Sequence, residues 1–257
     1  MSIHPTALVH RQAVVPASAK VGPYCSIGAG VVLGEDCELI SHVVLEGHTR
    51  IGARNRIFPF VCLGFEPQVL KYEEADARVE IGSDNILREN VTISRGIAGK
   101  GVTRVGDYCL LMAYVHIGHD SQVGSHCILP NGAALGGHVI VEDFASASAL
   151  GPVHQSCRIG TYAYIGGGTT ITQDVLPYSL TSVRRDTHAC GLNRAGLEQL
   201  GFRHEHLSPL EEAYRILLHP KLNTSQVLER LKADVKTSNE VTHLIEFIEA
   251  SERGVIR

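Results

Sequence analysis

The stretch from 116 to 155 holds the residue types that proton transfer and oxyanion binding require: His116, His119, Asp120, Gly136, Gly137, His138, His154 and Gln155. Their spacing is regular. His119, Gly137 and Gln155 are 18 residues apart, as are Asp120 and His138, and Gly136 and His154. A neutral imidazole acts as a general base near pH 7, and a carboxylate beside it can orient the ring. A glycine that exposes its backbone N–H suits the oxyanion formed at an acyl carbon. No activated Ser or Cys accompanies the group. The chemistry these residues support is direct attack by an acceptor oxygen or nitrogen on an activated acyl group, without an acyl-enzyme.

A spacing of 18 brings side chains together only if the chain repeats with that period. It does, in steps of six. Every sixth residue from Ile3 runs through Val9, Val15, Val21 and Ile27 to Leu63, resumes at Ile81, Leu87 and Ile93, and resumes again from Val105 to Ile171. Only Ala147 in this series is not Ile, Leu or Val. The next residue is often Gly, as at Gly22, Gly34, Gly64 and Gly106, which is expected where a chain turns tightly between short strands. Each unit reads as a short strand and a corner, so a ladder of branched aliphatics fills a narrow interior. That explains how a chain of 257 residues with 44% hydrophobic residues manages with 5% aromatics and no Trp.

The interruptions, near 64–80 and 94–104, leave the register intact and read as loops thrown out of one solenoid; long loops are often functional. After Thr172 the period stops. Ser208-Pro209-Leu210-Glu211 reads as a capping box opening a helix through about His219, followed by helices near 225–236 and 240–253. The expected organisation is a solenoid over 1–190 and a helical domain over 191–257 that covers its end. Cys25, Cys37, Cys109, Cys127 and Cys157 fall two residues before an aliphatic position, so they read as buried packers; Cys62 and Cys190 do not fit this slot. His42, His48 and His126 read as solvated corner residues.

A net charge of −4 gives no reason to expect nucleic acid or an anionic membrane as partner. The uncharged stretch 159–173 is broken by Gly and Thr, and MSIHPTALVH lacks the layout of a signal peptide, so a cytoplasmic protein without stable membrane insertion is expected.

The repeat resembles the hexapeptide-repeat family, which implies an all-β solenoid, a left-handed parallel β-helix of three hexapeptides per coil, with a C-terminal α-helical domain. SHVVLEGHTRIG at 41–52, PQVLKY at 67–72, VEIGSDNILRENVTISRG at 79–96, LLMAYVHIGHD at 110–120, LGGHV at 135–139 and VHQSCRIG at 153–160 carry a closer resemblance. They are similar to the acyltransferases that move a 3-hydroxyacyl chain from acyl carrier protein to the 3-position of UDP-N-acetylglucosamine in lipid A synthesis. The resemblance implies that His119 is the general base, Asp120 its partner and Gly137 the oxyanion donor. It implies further substrate positions at Lys71, His116, His138, His154, Gln155 and Asn193, no cofactor or metal, and a cytoplasmic homotrimer with the site between neighbouring subunits.

Several positions depart from that family's pattern. Val69 replaces an aspartate that touches the sugar, Ser94 a histidine, Ala195 an acid near the nucleoside, and Gln199 and Leu200 two arginines near the diphosphate. Losing two guanidiniums removes charge-assisted contacts, and Arg184, Arg185, Arg194 or Arg203 could supply replacement charge. An altered acceptor, such as a UDP-sugar with an amine at C3, fits this. An acetyl-CoA-dependent sugar acetyltransferase on the same scaffold is the nearest other enzyme. A zinc anhydrase of hexapeptide type would use three His and a metal, although the oxyanion glycine and the motifs weigh against it. A non-enzymatic trimeric paralogue that binds carrier protein is the remaining alternative.

Overall fold

The computed structural model describes residues 2–72, 76–97, 101–183 and 187–257. Short strands, many of only two residues such as Leu8–Val9 and Leu110–Leu111, stack into three parallel sheets of seven, eight and seven strands among the described residues. The chain visits the three in turn and so winds a left-handed parallel β-helix. The first face runs from Ser2–Ile3 to Ile128–Leu129, the second from Leu8–Val9 to Pro152–Val153 and the third from Val32–Leu33 to Arg158–Ile159. Register survives both loops: Cys62 pairs with Val44 on one side and Thr92 on the other, and Glu80 with Arg50 and Arg104.

The inward ladder is buried along the coil, with Ile27, Leu45, Leu63, Ile93, Ile117 and Leu135 among its largest members. Each such side chain contributes roughly 1.5–3 kcal/mol by leaving water. Cys25, Cys37, Cys109, Cys127 and Cys157 occupy the second inward slot and are also buried. That slot holds polar residues the aliphatic period did not announce: Asn55, Asn85, Thr103 and Ser121 are fully buried. They are not orphans. Asn55 Nδ2 donates to Gly52 O and Gly82 O, and its Oδ1 accepts the Asn85 N–H; Asn85 in turn donates to Gly106 O and accepts from Cys109 N–H. The two amides stitch the corner through the coils that the loops interrupt, where a lost partner would cost about 1–3 kcal/mol.

The glycines serve close approach more than turning. A Cβ on Gly22 would overlap Ile40 O of the next coil, and one on Gly34 would overlap Gly52. The left-handed corner conformation falls mostly on other residues, among them Tyr24, Arg54, Asp120, His126, His138 and Tyr162. None of the described non-glycine residues in this conformation is β-branched, in keeping with its steric demands. His42 and His126 are exposed corner residues, and each also packs against neighbouring rings. His126 lies between Tyr108 and Phe144, and the column continues to Tyr162 and Tyr178 with ring centroids 4.6–5.8 Å apart.

The coil runs on through Val175, which bridges Ile159. A hairpin that the period gave no sign of follows, Ser179–Val183 with Thr187–Leu192. Four helices close the chain: α1 (Arg194–Gln199), α2 (His204–Leu217), α3 (Thr224–Asp234) and α4 (Asn239–Glu249). α2 starts four residues before the expected Ser208 cap, because His206 Nδ1 accepts the Arg203 N–H and begins the helix there; Pro209 lies inside it. α4 ends before the expected 253. Leu207, Leu210, Tyr214, Leu231 and Leu244 form a second core under the solenoid's end, joined by Leu176 and Tyr178. No described helix is long and apolar enough to cross a membrane.

A charged clasp ties the helices to the solenoid. His243 Nε2 lies 2.8 Å from Glu142 Oε2, and Arg158, 3.6 Å from Glu142, covers Phe247 and donates to its carbonyl. The Glu142 hydrogen bond raises the His243 pKa against the opposing pull of burial. Burial pushes Glu142 up, but His243, the Thr161 N–H and Arg158 together hold it below its ordinary value. The histidine's contribution is complete below about pH 6.5 and is lost as pH rises through its raised value; the carboxylate's is lost only as pH falls below about 4.5. The clasp should be strongest between these limits. Thermal melts of wild type and His243→Gln across pH 5–9 check this: the wild type's advantage should shrink as pH rises. An advantage equal at pH 5.5 and pH 9 would show that the clasp is not ionic.

Candidate active site

Both loops leave the solenoid at the same corner. The first joins Cys62–Phe65 on the second face to Arg78–Ile81 on the third, and the second joins Thr92–Ser94 to Val102–Val105. One coil later the chain makes this corner without a loop, and there stand His119 and Asp120. The repeat arithmetic therefore places the candidate residues beside both insertions. Arg95 links the loops: its Nε donates to Tyr72 Oη at 2.9 Å, and its guanidinium lies over the Tyr72 ring.

His119 Nδ1 lies 3.0 Å from Asp120 Oδ2, and both side chains are largely buried. The columns stack as the 18-residue spacing requires: the His138 N–H donates to His119 O, and the Ser156 N–H to Gly137 O. Gly137 lies directly over the imidazole, so close that a Cβ would overlap its Cε1 and Nε2. His116, on the second face, pairs with Ala134, which pairs with Pro152, so small residues floor the surface beside it. His116 Nδ1 lies 2.8 Å from Thr92 Oγ1. Burial, and then the charge of His119, lowers the His116 pKa and favours its neutral form. Burial pushes the thiols of Cys25, Cys37, Cys62 and Cys157 up, away from nucleophilic thiolates.

A groove of about 410 Å³ gathers Val69, Ser94, His116, His119, Gly137 and Gln155. His138 is exposed at its edge, its ring 5.0 Å from that of His119. His119, Asp120 and His138 each bring one ligand atom within 4.8 Å of the others, a set able to hold a borderline cation. Lys71 and His154 are exposed and do not line the groove. Asn193 caps α1 and donates to Tyr162 O at the aromatic corner, where the third face meets the first. Gln199, Leu200 and Ala195 are exposed on or just after that helix. Arg194 is engaged by Glu198 and Glu211; Arg184 and Arg185 lie outside the described residues. A roomier cleft of about 600 Å³ between solenoid and helices is lined by Phe144, Tyr162, Tyr178 and the clasp, away from His119.

Comparison with known proteins shows the family. The family described as "UDP N-acetylglucosamine O-acyltransferase, domain 2" matches residues 174–256, and "bacterial transferase hexapeptide (six repeats)" matches 103–137. The acyl-(acyl-carrier-protein)–UDP-N-acetylglucosamine O-acyltransferase of Thermodesulfovibrio yellowstonii is 44% identical over 256 residues, 99% of each chain. That of Syntrophobacter fumaroxidans is 43% identical over the full length of both.

The chain belongs to the acyl-(acyl-carrier-protein)–UDP-N-acetylglucosamine O-acyltransferase family. Solved structures extend the likeness to three dimensions. The UDP-N-acetylglucosamine acyltransferase of Bacteroides fragilis superposes with a TM-score of 0.96 at 38% identity, covering 99% of this chain and 100% of that one. The Francisella novicida enzyme superposes at 0.95 and 38%, covering 99% and 94%.

Sequence reasoning passed over Thr92, Gly96, Ile97 and Thr103, which touch the histidines or Asp120 in this acyltransferase. Thr92 was findable, since it lies one coil before His116 in the repeat. The loop residues were not, because no period runs through a loop. Gly137 has ordinary backbone angles, so Gly137→Ala acts through space alone: the methyl should push the imidazole aside. Acyl transfer is expected to fall by about 100-fold, the effect of misplacing a reacting group by about 1 Å, with little change in melting temperature. Near-wild-type kcat in that variant would show that Gly137 does not set the ring's place.

Proposed function

We propose that this acyltransferase moves a 3-hydroxyacyl chain from acyl carrier protein to the 3-position of a UDP-N-acetylglucosamine-type sugar, as in lipid A synthesis, by direct transfer with His119 as general base. The observation that carries this reading is the His119–Asp120 pair, opening on a groove beneath the backbone of Gly137. The acceptor's 3-hydroxyl gives its proton to His119 Nε2 as its oxygen bonds the thioester carbonyl carbon. The Gly137 N–H steadies the oxyanion. The C–S bond then breaks, and the carrier thiolate takes the proton back from the imidazolium. This balances without a metal or other cofactor. His116, neutral and oriented by Thr92, sits where it can hold a sugar hydroxyl.

Val69 and Ser94 line the same groove, which supports an altered acceptor end and brings a 3-amino UDP-sugar into the candidate set. Purified protein with 3-hydroxyacyl carrier proteins of several lengths and a panel of 3-hydroxy and 3-amino UDP-sugars tests the reading by mass spectrometry. At least one pair should give a monoacylated sugar in the presence of EDTA, and His119→Ala should lower the rate by about 10²–10⁴-fold. No product from any pair would overturn the assignment.

We also propose that the protein is a cytoplasmic homotrimer. Ile128, Leu150 and Tyr164 are exposed on or beside the first face, an apolar surface of the kind subunit contacts cover. Light scattering should return three times the chain mass of 27.8 kDa. A monomer at the concentration used for activity would overturn the trimer.

A further inference from the structure

Asp120 turns a corner at which the preceding coil is interrupted. At most other corners, a left-handed residue donates its N–H to a carbonyl of the coil before it, as His126 does to Asp107, Phe144 to Ser125 and His138 to His119; Tyr24 and Asp36 donate instead to hydroxyls of that coil, Thr6 Oγ1 and Ser18 Oγ. One coil before Asp120 no such carbonyl is present among the described residues, because the chain leaves after Ser94 and returns to the third face at Val102. Groups from the loop and its return take over. Thr103 Oγ1, fully buried, accepts the Asp120 N–H at 2.8 Å. The Ile97 N–H donates at 3.0 Å to Asp120 Oδ2, the same oxygen that faces His119 Nδ1. Gly96 closes the slot. A Cβ there would lie 2.5 Å from Asp120 Oδ1 and 2.5 Å from the Gly101 carbonyl carbon.

We infer that the second loop is a positioning element for the base, with Gly96 and the Ile97 N–H clamping the Asp120 carboxylate so that it holds His119 Nδ1 and turns Nε2 into the groove. The inference rests on His119 being the base. A corner carboxylate without such a clamp has rotamers to choose from; here its backbone, one oxygen and the space behind the other are all fixed by the loop or its return. Gly96 is required for its lack of a side chain, since its backbone angles are ordinary.

Gly96→Ala tests the clamp. The methyl should displace the carboxylate from His119, lowering kcat by about 100-fold while KM for both substrates stays within about twofold. The loss should disappear in an Asp120→Asn background, as a double-mutant cycle between coupled groups requires. If Gly96→Ala does not fold, the near-isosteric Thr103→Val removes the acceptor of the Asp120 N–H and enters the same cycle. Wild-type kcat in the variant, or an equal loss with and without the Asp120 carboxylate, would overturn the clamp. Full activity in His119→Ala would instead overturn the underlying base assignment.

Discussion

Backbone hydrogen bonds between successive coils are the constraint on which the rest of this molecule depends. The Gly118 N–H donates to Leu135 O and the Gly136 N–H to Val153 O at 2.9 Å, and the same pattern recurs on every face. Because both partners are backbone, each coil lies one strand spacing, about 4.8 Å, from the next. Everything else must fit that distance. Branched aliphatics fill it inside, and rings pack across it at two corners, Tyr24–His42–Phe60 at one and Tyr108–His126–Phe144–Tyr162 at another. Glycine is needed wherever a neighbouring carbonyl occupies the place of a Cβ. The candidate catalytic group obeys the same rule: His119 and Gly137 are neighbours because they are one coil apart.

The loops show how such a regular object acquires a site. An insertion within a strand would break a ladder, whereas one at a corner costs only the corner's own hydrogen bond. Both insertions use the corner between the second and third faces, in consecutive coils, and Arg95 ties the later loop to Tyr72 of the earlier one. The result is a wall above a face that small residues keep low. The candidate site gathers where the solenoid is least regular. At that point backbone groups freed from the ladder are available to hold a carboxylate, and there is space for a substrate.

The architecture was legible because it is periodic. The aliphatic register, the buried cysteines and the columns joining His119 to Gly137 and Asp120 to His138 all follow from counting by six and eighteen. What was not legible lacks a period. The hairpin over 179–192 is held by antiparallel pairing at the solenoid's end, and no hexapeptide marks it. The start of α2 was misplaced because Ser208-Pro209 looks like a cap, while His206 supplies the capping acceptor a turn earlier. Asn55 and Asn85 were hidden because an amide in an aliphatic slot reads as a defect until its hydrogen bonds are drawn. The contacts of Gly96 and Ile97 with Asp120 arise from a loop path that sequence spacing does not determine.

The triangular cross-section has one more consequence. His119 stands at the corner between the second and third faces, while Asn193 is fastened by Tyr162 O to the corner between the third and first. The solenoid between them is packed with buried side chains and cannot fold to bring these corners to one ligand. If a nucleotide sugar touches both, it lies between two copies of the chain, with the base from one and α1 from the other. A contact joining two different corners is heterologous, and it closes without a free end only when copies are arranged in a ring. The proposed trimer would satisfy that closure. Residues on or beside α1, among them Ala195, Gln199 and Leu200, would then act on the reaction at a neighbour's His119, so donor and acceptor specificity would reside in different parts of the same chain.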